Sequence, residues 1–185
     1  MRGFMARGQL QEARGFLDEM RRQEQKAFGD KSRFDHFLSA FLSAGRTVDY
    51  RLRHEHKATY PTWREQWNAH HPSEDQLVKF MHEKRRIEIH EGGSGRIVRS
   101  EQTKIGIGSS YSDESGTLEV MGSPSPVTGH DVGATISKSR YFFDVGGTER
   151  SVTDVCTEYL MALERMVADF DADYINHKNG TRPAY

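Results

Sequence analysis

The stretch from Ser151 to Tyr174 restricts this chain more than any other. Val152, Val155, Cys156, Tyr159, Leu160, Leu163, Met166, Val167, Phe170 and Tyr174 recur at three- and four-residue intervals. That is the repeat of an α-helix with one broad apolar face. Such a face has to be covered, and helices elsewhere in the chain are the natural cover. Ser151 is placed to cap the helix. Asp154, Glu158, Glu164, Asp169, Asp171 and Asp173, against Arg150 and Arg165, read as an acidic outer face.

Three earlier stretches supply partners. Leu10, Ala13, Leu17 and Met20 predict an amphipathic helix from about Gln9 to Phe28. A break follows at Gly29-Asp30-Lys31-Ser32, where Asp30 or Ser32 can cap the next helix. That helix carries Phe34, Phe37, Leu38, Phe41, Leu42, Gly45, Val48 and Leu52 as far as about His56. Its small residues Ser39, Ala40, Ser43, Ala44 and Gly45 permit a close neighbour, and its end is basic, with Arg46, Arg51, Arg53 and Lys57. Tyr60-Pro61 opens a short piece whose Trp63 and Trp67 cover the end of the helices. After His70-His71-Pro72, Ser73-Glu74-Asp75-Gln76 has the form of a capping box. The helix it opens buries Leu77, Phe80, Met81 and Ile87, and stops at Gly92-Gly93-Ser94-Gly95.

Residues 92–149 differ in kind. They are rich in Gly, Ser and Thr, with β-like runs at Arg96–Arg99, Lys104–Ile107, Thr117–Met121 and Tyr141–Val145. Ser123-Pro124-Ser125-Pro126 and Gly146-Gly147 mark turns. The expected fold class is therefore mainly α: a four-helix bundle with a small β-containing insertion before the last helix. The bundle takes residues 9–91 and 150–176, the insertion 92–149, and the whole of 1–185 forms a single domain. The insertion is read as a curled sheet of three or four strands on the helices.

Composition removes several function classes. Cys156 is the only cysteine, which excludes an internal disulfide and a thiolate zinc cluster. No run approaches the roughly 18 apolar residues that span a bilayer. The N-terminus has positive charge but no apolar core behind it, so it does not read as a secretory signal. A cytoplasmic protein without a membrane partner is expected. A net charge of -1 leaves nucleic-acid binding to a local patch. The nine histidines form neither a zinc-protease helix nor inward Glu-x-x-His pairs, and read as scattered surface residues. Neither metal nor cofactor is expected.

The remaining candidate is Phe80-Met81-His82-Glu83-Lys84-Arg85-Arg86-Ile87-Glu88-Ile89-His90-Glu91, a helix end with an arginine cluster and a histidine. Arg85-Arg86-Ile87-Glu88-Ile89-His90 resembles the Arg, polar residue, three others, His signature of the HEPN family of helical domains. Phe37-Leu38-Ser39-Ala40-Phe41-Leu42-Ser43-Ala44-Gly45-Arg46 resembles that family's long second helix. The resemblance covers 9–91 and 150–176. It departs at Arg86, where Asn or another small polar residue is common.

For the fold, the resemblance implies an up-down bundle. For catalytic members it implies metal-independent RNA cleavage, often in a homodimer that brings two motifs together. An antitoxin-like protein partner is a further possibility in this setting. Carried over by position, Arg85 holds the phosphate, His90 is general base or acid, and Arg86 assists. Lys84, Arg96, Arg99, Arg46 and Arg53 then serve as RNA contacts. The residue types suit the chemistry: His titrates near neutral pH, and Arg grips phosphoryl oxygens with two donors. Residues five apart lie about 140° apart around a helix, whereas Arg86 and His90 are i,i+4 neighbours. A site here requires a distorted helix end, a second copy, or Arg86 as the working arginine.

A different class of reading is open on the same residues. Cations near a helix C-terminus are favourable with the macrodipole and need no function. The chain is then a non-catalytic HEPN-like module that binds a protein partner or nucleotide, with the insertion as recognition surface. Convergence of these side chains on an open basic cleft distinguishes a site from carboxylate-paired surface charge.

Overall fold

In a computed structural model describing residues 4–26, 29–91, 95–106 and 133–178, helices dominate. The order is α1 (Phe4–Gln25), α2 (Lys31–Glu55), α3 (Tyr60–His70), α4 (Pro72–Glu91), β1 (Arg96–Gly106), β2 (Gly133–Val145), β3 (Thr148–Ser151) and α5 (Val152–Lys178). The mainly α expectation stands, with five helices rather than four, because the piece beginning at Tyr60 is a full 11-residue helix. The first helix starts earlier than its apolar repeat indicates, at Phe4, and Ala6 is fully buried.

Local chemistry accounts for the helix ends. Asp30 caps α2, its Oδ1 accepting the Ser32 and Arg33 amides at 2.9 and 3.2 Å. The Ser151 hydroxyl accepts the Asp154 amide at 3.4 Å at the start of α5. The expected capping box at Ser73 does not form. Pro72 already opens α4 and the His71 carbonyl accepts the Asp75 amide at 3.0 Å, so Ser73 lies inside the helix and its hydroxyl donates to Glu74. Proline suits this first helical position, where its missing N–H is no loss.

The long helices run alternately. Arg7 meets Asp171, Arg14 meets Glu164, and Arg21 donates to Thr157, so α1 and α5 are antiparallel. Arg165 on α5 reaches Glu74 near the start of α4, so these two are antiparallel as well. The apolar faces meet in one cluster, with Leu17, Met20, Phe41, Leu42, Val155, Leu163 and Met166 at 1 % exposure or less. The acidic face assigned to α5 is outer only in part: Asp154 and Glu158 are exposed, while Glu164, Asp169, Asp171 and Asp173 are half-buried against α1 and α3. Arg7, Arg14 and Arg21 recur every seven residues opposite Asp171, Glu164 and Thr157, and seven residues is close to two helical turns. Asp169 and Asp173 accept the indole N–H groups of Trp67 and Trp63 at 3.0 and 2.8 Å.

The ends of the helices are closed by aromatics. At one end α3 places Tyr60 and Trp63 against Phe170, and His56 is buried between Phe170 and Tyr174. His56 is thus a packed residue, not a scattered surface one. At the other end the sheet contributes Tyr141, stacked on Phe34 at 3.6 Å, and Phe143, edge-on to Phe80. The sheet is antiparallel in the order β1-β2-β3. β1 pairs β2 without interruption from Arg96 opposite Phe143 to Gly106 opposite Gly133. A two-residue turn at Gly146-Gly147 then links β2 to β3. Both glycines have positive φ, 62° and 85°, and the Asp144 carboxylate accepts the Gly147 amide. Such turns match strand twist and favour glycine.

The runs at Arg96–Arg99 and Tyr141–Val145 are strands as expected, and Lys104 to Gly106 extends the first. Thr117–Met121, Ile107 and the Ser123–Pro126 turn lie outside the described residues. Among the described residues, no helix is long and apolar enough to cross a membrane.

Candidate functional site

The basic residues assigned from sequence fall into two groups. Arg86 is held by Glu83 on its own helix, through Nε at 2.8 Å and a terminal nitrogen at 2.5 Å. Arg96 is bound to Asp35 of α2 and lies over the Tyr141 ring. Arg99 makes a two-pronged contact with Glu149 of β3 at 2.9 and 2.5 Å. Lys84 reaches the Gly95 carbonyl at 3.4 Å and sits over the Phe80 and Phe143 rings. Partial burial lowers its pKa from the usual lysine value, against which Asp144 acts. Arg96, Arg99 and Lys84 thus fasten α4 or the sheet to its surroundings, while the Arg86 contact stays within α4.

Arg46, Arg53 and Arg85 form the second group. Among the described residues, no ion pair involves them. Arg46 and Arg53 are exposed on α2, and Arg85 is half-buried on α4. The His90 backbone continues α4, but its side chain lies outside the described residues. The expected pairing of His90 with Arg85 or Arg86 therefore rests on the sequence spacing.

One turn before Arg85 on α4 stands His82, which sequence reasoning did not single out. It belongs to a polar centre enclosed by α2, α3, α4 and α5. Tyr60 donates its hydroxyl to Asp49 Oδ1 at 2.6 Å. Arg64, 12 % exposed, lies between Asp49 at 3.4 Å and Asp75 at 3.6 Å, and covers the Trp67 ring. Lys79 adds a second cation to Asp75 at 2.7 Å. In this centre Arg64 Nη1, His82 Nε2 and the Tyr159 hydroxyl are enclosed and satisfied by no side chain or backbone group; Asn68 Oδ1 on α3 and both Glu55 oxygens on α2 are likewise enclosed without a partner. Buried polar groups are usually hydrogen-bonded, to ordered water where protein is lacking.

Electrostatics follow from this enclosure. Burial lowers the His82 pKa from its ordinary value; Asp49 opposes the shift, and Arg46 and Arg64 add to it. Burial and the neighbouring Asp49 push the phenols of Tyr60 and Tyr159 well above the usual tyrosine range. Tyr159 fits this deeply because residue 45 is glycine. A Cβ there would stand 2.5 Å from Tyr159 Cε1.

The signals for this centre were present in the sequence but ambiguous. Asp49 follows Val48 on the apolar stripe of α2, Arg64 lies between two tryptophans, and Asp75 was absorbed into the supposed capping box. A charged residue beside an apolar stripe reads equally well as its solvated edge. Among the described residues, no group of three or more His, Cys, Asp or Glu side chains is placed to hold a metal ion. In comparisons with known proteins, no family model, curated protein or solved structure matches this chain.

Proposed function

We propose that this chain is an RNA-associated protein of HEPN type, in which α1, α2, α4 and α5 form the up-down four-helix bundle and Arg85 contacts a phosphate. One observation carries this reading. Arg86, Arg96 and Arg99 are each bound to a carboxylate, whereas Arg85 and Arg46 flank His82, one along α4 and one from α2, outside any ion pair among the described residues. Arginines that the fold does not neutralise are the ones available to phosphoryl oxygens. In the catalytic form of the proposal, His90 moves the proton of the attacking 2′-hydroxyl, and a second copy of the chain completes the cleft. No metal enters that chemistry. Arg85 supplies the charge that meets the pentacoordinate phosphorus.

The test is cleavage of labelled RNA in EDTA by wild type, His90→Ala, Arg85→Ala and Arg86→Ala. Activity that survives chelation, falls by roughly a hundredfold or more in the first two variants, and changes a few-fold at most in Arg86→Ala fits the proposal. Cleavage untouched by Arg85→Ala removes it.

The carboxylate partners of Arg86, Arg96 and Arg99 favour a second reading, because they thin the cationic field around the motif. The chain is then a non-catalytic HEPN-like module. RNA bound through Arg85 and Arg46, without cleavage by wild type, identifies that case. A protein partner of the antitoxin kind acting on the same end of α4 is revealed by protection of Arg85 and Arg46 in the complex.

A further inference from the structure

A cavity of about 220 Å³ opens where β2 meets α1, and His82 is not among its lining residues. Arg21 and Glu24 of α1, Lys138 and Arg140 of β2, Tyr141, and Ser151 before α5 line it. We propose that this cavity is a binding site for a phosphate group.

The lining brings three cations together, with three acids beside them. Arg21, Lys138 and Arg140 come from two separate elements, and the cavity ends at the start of α5, where first-turn amides favour an anion. Arg21, in the cavity wall, is steadied by Thr157 at 2.8 Å and by Asp18 at 3.4 Å. The opposing charges are Glu24 in the wall, Asp18 on Arg21, and Asp154, which acts on Glu24.

Glu24 is the unusual member. Its Oε2 accepts the Thr153 hydroxyl at 2.9 Å, and that hydroxyl is itself 3.0 Å from Ser151 Oγ. Burial raises the Glu24 pKa, and Asp154 adds to the rise; the Thr153 bond, Arg140 and Lys138 act against it. Tyr141 and the buried Cys156 face the same carboxylate from β2 and α5. As Glu24 gains its proton, the cavity loses a negative charge and gains an O–H donor, so phosphate binding strengthens as pH falls. The phosphate can be inorganic phosphate or the backbone of an RNA. The inference uses none of the residues on which the HEPN-type proposal depends.

Two probes separate the sources: inorganic phosphate, and the RNA dinucleotide UpU, whose diester does not change charge across the relevant pH range. Each is titrated into the whole protein by calorimetry and by amide chemical shifts. Wild type, Lys138→Ala/Arg140→Ala and Glu24→Gln are compared, with thermal melts to verify folding. The double variant is expected to bind about tenfold more weakly or worse, the range of lost charge-assisted hydrogen bonds. Glu24→Gln is expected to bind more tightly than wild type at neutral pH and to lose the pH dependence seen with UpU. Binding of phosphate alone assigns the free anion, and binding of UpU assigns the RNA backbone. A folded double variant that binds as wild type does, or a wild type silent to both probes up to about 10 mM, overturns the site. Amide shifts at Lys138, Arg140 and Ser151 report this cavity and those around Arg85 on α4 report the other site, so the two proposals fail separately.

Discussion

Arg64 and Arg86 are both helical arginines beside carboxylates, yet their surroundings assign them opposite roles. Arg64 is 12 % exposed, joins Asp49 of α2 to Asp75 of α4 from its place on α3, and covers Trp67. Arg86 is 54 % exposed and binds the half-exposed Glu83 of its own helix. The first contact links three helices, whereas the second links two turns of one. The difference shows that an arginine's role here is decided by what encloses it. The number of carboxylates within reach does not decide it.

The largest expected effect follows at the enclosed end. Arg64→Ala leaves the half-buried Asp49 and the buried Asp75 without their shared cation; Lys79 still holds Asp75, so the cost falls toward the low end of the roughly 3–5 kcal/mol for breaking a buried pair. For a chain of this size that corresponds to a fall in Tm of roughly 10 °C. Replacing Arg64 and both aspartates together by apolar residues of similar volume should recover most of the loss. A single Arg64→Ala variant melting within about 1 kcal/mol of wild type would mean the centre is wet and its charges screened, and the comparison would collapse.

These two regions were unequally legible in the sequence. The apolar repeats of α2 and α5 located both helices, since a three-and-four spacing of large residues has few other solutions. The polar centre was not legible, because Asp49, Arg64 and Asp75 come from three helices separated by loops and no short spacing unites them. Four of the α5 acids, Glu164, Asp169, Asp171 and Asp173, were misplaced for a related reason. A row of carboxylates looks like a solvated face until its partners, here arginines seven apart on α1 and tryptophans on α3, are known to lie opposite. Conversely, Arg85-Arg86 and His90 were conspicuous because they sit together in the chain, and proximity in sequence does not show that side chains converge.

A pH series sharpens the contrast by reading the enclosed end without destroying it. The folded His82 pKa is below its ordinary value of 6.5. Above that value neither folded nor unfolded chain carries the extra proton, and His82 contributes no slope. As pH falls below about 6.5 the unfolded chain protonates first, so stability declines until the folded value is passed. Asp49 faces the ring from α2 and moderates the decline, while Arg46 and Arg64 steepen it. Melts between pH 7.5 and 5 should therefore fall more steeply in wild type than in His82→Gln, whose side chain does not titrate. Parallel curves would place His82 in water, like the charges one turn further along α4.

The smallest effect belongs to Arg86, and its smallness is informative. Its pair with Glu83 spans one turn of a single helix, with both side chains at least half exposed. Such pairs contribute a few tenths of a kcal/mol and are weakened by salt. Arg86→Ala should change stability by less than about 0.5 kcal/mol, with the difference vanishing at high ionic strength. Removing the guanidinium also releases Glu83, one turn from the α4 positions proposed to meet phosphate. An unpaired carboxylate repels RNA there, so Arg86→Ala should weaken RNA binding slightly while Arg86→Ala/Glu83→Ala restores it. That double-variant comparison separates an arginine that touches RNA from one that screens an acid. Binding that stays weak after Glu83 is removed makes Arg86 a direct contact, and binding that recovers leaves Arg85 as the phosphate-facing arginine of α4.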